Sequence, residues 1–106
     1  MATYTQEKAV FFINITYKVD LIEVDRHIEA HIAYLNKHYD NGSFVLSGRK
    51  KPRTGGVILA TTDDRARLDA IVSEDPFYRH QLADYTIIEF EPSKAAKGLK
   101  GLITAL

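Results

Sequence analysis

The chain has 106 residues, 45% hydrophobic and 26% charged, which suits a single globular domain with one core. Fourteen Lys and Arg residues balance fourteen Asp and Glu residues, so no net charge attracts nucleic acid or an anionic membrane. Cysteine is absent, which excludes disulfides and a thiolate nucleophile, and no apolar run approaches the roughly 20 residues of a membrane span. The first residues are polar and lack the apolar core of a signal peptide. We therefore predict one cytoplasmic domain over residues 1–106, with no nucleic-acid or membrane partner.

The first two predicted elements are a strand and a long helix. Residues 9–17 are mostly β-branched or aromatic, which is typical of a strand. Asp20 followed by Glu23 resembles a capping box and predicts the start of a helix, and Asn41-Gly42 predicts its end. The apolar residues of this helix recur at intervals of three and four, as in an amphipathic helix: Leu21, Val24, Ile28, Ile32, Leu35 and Tyr39.

A hairpin of two strands is predicted next. Residues 43–50 favour a second strand, and residues 57–62 favour a third. Between them Pro52 and Gly55-Gly56 punctuate the chain, as they do in a tight connection. We therefore expect these two strands to be neighbours in one antiparallel sheet.

A second helix and a last strand complete the predicted core. Asp63 or Asp64 is suited to cap the helix, Asp75-Pro76 ends it, and residues 85–90 favour a fourth strand. The order βαββαβ predicts a ferredoxin-like α+β fold with a four-stranded antiparallel sheet and a core spanning residues 8–91. The apolar positions of the second helix follow helical spacing: Ala66, Leu68, Ile71 and Val72.

The tail over residues 92–106 is predicted to form an extra C-terminal helix. Ser93 can cap it, and its apolar and basic residues fall on opposite sides. Gly98 and Gly101 weaken such a helix by about 1 kcal/mol each, so it needs a surface to pack on. The apolar side holds Ala96, Leu99, Ile103 and Leu106, and the basic side holds Lys94, Lys97 and Lys100.

Both faces of the predicted sheet are apolar. With a period of two residues, the first strand places Phe11, Ile13 and Ile15 on one face, and Val10 and Phe12 on the other. An antiparallel sheet with a solvated face alternates apolar with polar residues, and this sequence does not. We therefore predict a homodimer in which two sheets pack face to face with two-fold symmetry.

A histidine beside the apolar stripe of the first helix is the leading candidate for catalysis. His31 would be half desolvated there, so its protonation would respond to its neighbours, which suits general acid–base chemistry. Asp75 can cap the segment that begins at Pro76 and can also orient a histidine ring. One oxygen of Asp75 is free to cap while the other contacts His31. The alternatives are a boundary histidine bonded to a backbone carbonyl and an aspartate that serves only as a cap.

A metal site is the alternative chemistry for the same residues. His27 and His31 are four residues apart, which places both rings on one helix face, and Asp75 could supply a third ligand. The HExxH arrangement and cysteine ligands are absent. We therefore expect no metal, and keep metal binding through these three residues as an alternative function.

Basic residues crowd the hairpin before Gly55-Gly56. Arg53 is the residue that we expect to contact an anionic substrate, because the glycines allow close backbone approach. A solvated hairpin tip is the alternative explanation. Ser47 has no obvious adjacent base, so a serine hydrolase is only weakly indicated. The basic cluster comprises Arg49, Lys50, Lys51 and Arg53.

Several short motifs together resemble the YciI-like (YCII-related) family. The resemblance covers residues 9–90, which leaves out the tail from Pro92. It implies a ferredoxin-like subunit of the dimeric α+β barrel superfamily, with an active site that contains a histidine and an aspartate. The motifs are His31 within residues 30–35, Gly42, Ser47-Gly48, Gly55-Gly56 and Asp75-Pro76-Phe77.

The resemblance also frames the expected chemistry. A related dehydrochlorinase of a chlorinated hydroxyhydroquinone suggests acid–base or elimination chemistry on small polar aromatic rings, and haem-binding relatives make a haem-dependent monooxygenase an alternative. Ile28 and Arg49 stand where many members have Arg and Pro. Arg49 or Arg53 could replace the anion contact that Ile28 lacks.

The sequence thus predicts a homodimeric enzyme that transfers protons on a small polar or aromatic molecule without an organic cofactor, in a reaction of the elimination, lyase or hydrolase type. His31 is the expected general acid or base, and Asp75 is its orienting partner. A non-catalytic small-molecule binding or sensing module is the alternative that uses the same cleft. The expected substrate contacts are Ser47, Arg53, Gly55 and Tyr34.

Overall fold

A computed structural model describes residues 8–102, with the backbone alone for Leu102. The strands of this part are β1 (Ala9–Tyr17), β2 (Phe44–Arg49), β3 (Gly55–Thr62) and β4 (Ala83–Phe90). Its α-helices are α1 (Leu21–Asp25), α2 (Ile28–Asp40), α3 (Arg65–Val72) and α4 (Pro76–Arg79), and a 3₁₀ helix spans Lys97–Leu102. None of the helices in this part of the chain is long and apolar enough to cross a membrane.

The four strands form one antiparallel sheet in the order β2-β3-β1-β4. Ile13 marks its centre, because it lies opposite Ile58 of β3 on one side and Ile87 of β4 on the other. This topology confirms the predicted ferredoxin-like α+β fold.

The core lies between the sheet and the helices that cover one of its faces. Phe11, Ile13 and Ile15 of β1 are at most 2% exposed, as the period of two predicts. A second, smaller cluster joins the short helices α1 and α4 to the chain before β4, and comprises Val24, Phe77 and Leu82.

The predicted long first helix is wrong in one respect, because the chain breaks it into α1 and α2 at Arg26 and His27. The side chain of Asp20 makes no capping hydrogen bond, so the expected capping box is absent. The break resets the helical phase, and the core-facing side of α2 therefore carries Tyr34 and His38. The exposed fraction of Ile32, predicted to lie in the apolar stripe, is 48%.

The predicted C-terminal α-helix is also wrong for the residues that the structure describes. Residues 91–96 have no regular secondary structure, and the segment after them is a 3₁₀ helix with two glycines, Gly98 and Gly101. Glycine lowers helix stability by about 1 kcal/mol, and Leu99 is 46% exposed rather than packed. Ile103 and Leu106 lie outside the described residues.

The face of the sheet opposite the helices carries an apolar row. Leu46 pairs with Leu59, Leu59 with Phe12, and Phe12 with Ile88, so the row crosses all four strands. Leu46 is 65% exposed and Ile88 is 54% exposed in the single chain. We call these four residues the open-face row.

Candidate active site

His31 lies in the second turn of α2, beside the cluster around Phe77. Its imidazole stacks on the Phe77 ring with 4.0 Å between centroids and 6° between planes. The side chain is 11% exposed. Stacking on a buried aromatic ring fixes the plane of the imidazole, which leaves its two nitrogens in defined directions.

Asp75 is the partner of His31 and is fully buried at the start of α4. Its Oδ1 accepts from the Phe77 backbone N–H at 3.0 Å and lies 2.8 Å from His31 Nδ1, and its Oδ2 accepts from the Tyr85 hydroxyl. The predicted contact with His31 and the predicted cap are both present. The prediction that one oxygen caps the helix while the other contacts His31 is wrong. Oδ1 makes both of these hydrogen bonds, and Oδ2 accepts from Tyr85.

Three hydrogen bonds make the buried carboxylate tenable. A carboxylate without partners is very costly to bury, whereas these three donors surround it with positive dipoles. Burial and the nearby Asp75 charge raise the pKa of the Tyr85 hydroxyl well above its ordinary value. Tyr85 is therefore protonated at neutral pH and remains a donor to Asp75.

The bond to Asp75 decides which nitrogen of the neutral His31 ring carries the proton. An ionised carboxylate only accepts hydrogen bonds, so Nδ1 must donate and Nε2 keeps its lone pair. Nε2 has no partner among the described residues and is not fully buried, so its lone pair remains available. This is the tautomer that a general base requires.

A cleft of about 170 Å³ opens beside His31. Its walls are mostly aliphatic, and its polar side chains are Tyr17, His31, Ser47, Arg49 and Arg53. An apolar cavity on the order of 150 Å³ can hold a benzene ring, so this cleft has room for one small ring. The aliphatic walls include Ile28, Ile32 and Leu35 from α2, and Ile15, Val57 and Ile58 from the sheet.

Arg53 reaches the cleft from the β2–β3 connection and is held by α1. Its Nη2 donates to Asp25 Oδ1 at 2.6 Å. This hydrogen bond holds the pKa of the Asp25 carboxyl below its usual range and raises that of Arg53. The Nε atom of Arg53 is buried and has no hydrogen-bond partner. Within residues 8–101, it is the only buried side-chain nitrogen or oxygen atom without one. Asp25 thus fixes Arg53 in place and offsets part of its charge.

The other expected substrate contacts fall into two groups. Ser47 and Gly55 line the cleft, although the Ser47 hydroxyl is already bonded to Tyr39. A Cβ on Gly55 would lie 1.8 Å from the Ile15 carbonyl oxygen, so this position admits only glycine. Tyr34 is not among the residues that line the cleft, since its ring is buried in the core and its hydroxyl donates to the Ile71 carbonyl.

The structure does not assemble the alternative metal site. The His27 ring stacks on His80 with 4.2 Å between centroids, while His31 Nδ1 is bonded to Asp75. Within residues 8–102, no group of three or more His, Cys, Asp or Glu side chains is placed to hold a metal ion.

Two site residues, Tyr85 and Asp25, escaped prediction. Strand alternation places Tyr85 on the same face as Ile87, so the sequence indicates that it points toward the helices but not that it meets Asp75. Asp25 pairs with a residue 28 positions away, and such pairing between surface charges has no sequence signature.

The fold and the site define a ferredoxin-like α+β protein with a His–Asp pair beside an apolar cleft. A model of the YCII-related domain matches residues 6–91, and the chain belongs to that family. Comparison with curated protein sequences gives no match.

Solved structures with the same fold include two enzymes. The 5-chloro-2-hydroxyhydroquinone dehydrochlorinase TftG from Burkholderia phenoliruptrix AC1100, in complex with 2,5-dihydroxybenzoquinone, has a TM-score of 0.66 and 20% identity, over 84% of this chain and 97% of TftG. SnoaB, a cofactor-independent oxygenase from Streptomyces nogalater, has a TM-score of 0.52 and 13% identity, over 86% of this chain and 98% of SnoaB. At these identities the likeness shows a shared fold.

Proposed function

We propose that this protein is an enzyme that transfers a proton on a small polar or aromatic molecule bound beside His31. One observation carries the proposal: a histidine bonded through Nδ1 to a buried carboxylate presents a free Nε2 next to an apolar cleft. That arrangement matches what a general base needs, namely a lone pair at the substrate and a carboxylate that stabilises the imidazolium as it forms.

An elimination reaction fits this geometry. His31 Nε2 takes a proton from the substrate, the electron pair left behind forms a double bond, and a leaving group departs as an anion. The imidazolium then releases its proton to solvent, which returns the site to its starting state. Arg53 and Arg49 lie at the cleft and can stabilise negative charge that develops on substrate oxygens.

The cleft supports a substrate of about one ring. Its volume suits a single six-membered ring, its aliphatic walls favour a flat apolar body, and its few polar groups can orient ring oxygens. TftG was solved with 2,5-dihydroxybenzoquinone, a molecule of this size, and its shared fold supports the same substrate class.

A homodimer is the assembly that we propose. Among residues 8–102, the open-face row is left partly exposed, most of all at Leu46 and Ile88. Exposed apolar patches of this kind mark interfaces, and a two-fold axis lets one row cover another.

A substrate screen tests the enzymatic proposal. Hydroxylated and halogenated single-ring compounds would be incubated with the parent protein and with His31→Asn. We expect turnover of at least one compound by the parent, and its loss in the variant. Binding without turnover would establish a binding module instead, and equal turnover by both proteins would remove His31 from the mechanism.

Light scattering tests the dimer. We expect the parent to have twice the chain mass at micromolar concentration, and Phe12→Asp to be monomeric or unfolded. Ile22→Asp places the same charge on an exposed apolar residue of α1, away from the sheet, and this matched control should stay dimeric. A folded monomeric parent would contradict the proposed dimer but would leave the proposed role of His31 unaffected.

A further inference from the structure

Three side chains on one face of α2 bind the last turn of α3 and the two carboxylates that follow it. Tyr34 donates from its hydroxyl to the Ile71 carbonyl at 3.0 Å. His38 Nε2 lies 2.9 Å from Glu74 Oε1, and His31 Nδ1 lies 2.8 Å from Asp75 Oδ1. The two histidines are seven residues apart, or two helical turns, and they meet consecutive carboxylates.

His38 is fully buried, and its hydrogen bonds determine which ring nitrogen carries the proton. The Asn41 Oδ1 atom accepts from the Ser43 backbone N–H, so its Nδ2 amide group faces His38 and donates to Nδ1 at 3.1 Å. Nε2 must therefore carry the proton and donate to Glu74. Glu74 also accepts from Lys37 at 3.0 Å, which keeps it ionised and a strong acceptor. Both ring nitrogens of this fully buried histidine are thus occupied.

We infer that His38 and Glu74 are positioning residues for the His31–Asp75 pair. Glu74 directly precedes Asp75, so the bond that holds Glu74 against α2 also limits where the Asp75 carboxylate can move. Release of Glu74 would leave Asp75 attached mainly through its own cap and the Tyr85 hydroxyl. The effect of these residues on catalysis rests on the proposed function. Their effect on the position of the Asp75 carboxylate does not.

The test observes the bond between His31 and Asp75 directly. In protein with ¹⁵N-labelled histidine, NMR follows the Nδ1 proton of His31, which this bond protects from exchange with water. We expect Glu74→Ala and His38→Ala to raise its exchange rate at least about tenfold, because the protecting contact opens more often. Asp75→Asn is the positive control, since a neutral acceptor makes a weaker bond and shifts the signal.

Two conservative variants separate positioning from general loosening. Glu74→Gln keeps an acceptor for His38, and Lys37→Ala removes only the surface contact of Glu74, so both should retain slow exchange. Val10→Ala creates a cavity on the other side of the sheet, which destabilises the fold without touching the turn. This variant should also retain slow exchange.

Each outcome decides between the two claims. Parent-like exchange in Glu74→Ala, together with an altered signal in Asp75→Asn, would overturn the positioning role and leave the proposed function intact. An unaltered signal in Asp75→Asn would instead remove the His31–Asp75 pair on which the proposed function depends. If His38→Ala does not fold, the comparison of Glu74→Ala with Glu74→Gln settles whether the positioning role holds.

Discussion

The two histidines of α2 form the same kind of pair with a carboxylate but differ in their second ring nitrogen. His38 has both nitrogens bonded and no exposed surface, whereas His31, which lines the cleft, has only one nitrogen bonded to a described residue. A buried histidine–carboxylate pair is therefore not by itself a site for proton transfer. What distinguishes His31 is an unused lone pair next to a space that a molecule can enter.

The largest effect that separates the two histidines is expected from His31→Asn. The Asn amide can replace Nδ1–H as a donor to Asp75 but has nothing in place of Nε2, so turnover should fall at least about 100-fold while folding is retained. Initial rates and thermal unfolding measure the two quantities. Rates within about threefold of the parent would contradict the role of His31.

His38→Ala is expected to show the opposite pattern, with stability as the main loss. It opens a cavity and leaves the Asn41 amide without its acceptor, which should lower the free energy of unfolding by about 2–4 kcal/mol. Urea titration provides the measurement, with His38→Gln as a control that keeps a donor for Glu74. A loss no larger than that of His31→Asn would show that His38 is not the more structural of the two histidines.

Asp75→Asn tests the carboxylate partner of His31. Asn caps a helix about as well as Asp, so folding should change little, whereas loss of the charge beside His31 should lower turnover about tenfold or more. Asp75→Ala should also destabilise the protein by at least about 1 kcal/mol, because the cap is lost. An active Asp75→Asn protein would make Asp75 a cap alone.

The smallest effect concerns the pH dependence that Glu74 contributes. Lys37, and then His38, hold the pKa of the Glu74 carboxyl below its ordinary value of 4.5. A lowered pKa in the folded state stabilises the protein above pH 4.5, and this contribution is lost as the pH falls through the folded value. Glu74 is 37% exposed, so solvent screening limits the effect to about 0.5 kcal/mol.

Urea unfolding of the parent and of Glu74→Gln at several pH values measures this contribution. The difference in free energy of unfolding should be level above about pH 5 and should shrink at lower pH. A difference that stays constant down to about pH 3 would show that Glu74 is not held in its charged form by the fold.

Most of the fold was accessible from the sequence because strand and turn signals are local. The alternation in β1, the glycines before β3 and the Asp75-Pro76 break each depend on a few adjacent residues. The break between α1 and α2 was not accessible, since neither Pro nor Gly marks it. That break turned His38 inward and Ile32 outward, so the helical stripe was predicted in the wrong phase.

The site was accessible only in part. His31 and Asp75 were predicted because each residue type had a chemical reason to be where it is, a titratable ring beside an apolar stripe and a carboxylate before Pro76. The hydroxyl of Tyr85 and the hold of Asp25 on Arg53 depend on side chains that meet only in three dimensions. Their partners are set by packing angles, which no local pattern encodes.

A single oxygen atom of Asp75 accepts from the Phe77 backbone and from the His31 ring. The same atom therefore serves the fold and, under the proposed function, the reaction. A library of all substitutions at position 75, sorted only for folded protein, should enrich Asp and Asn, which can cap the helix and also place a second polar atom beside Tyr85. The Asp and Asn variants differ in one side-chain atom, an oxygen in Asp and an amide nitrogen in Asn. Under the proposed function, a single codon change would therefore convert an active protein into a folded but much less active one.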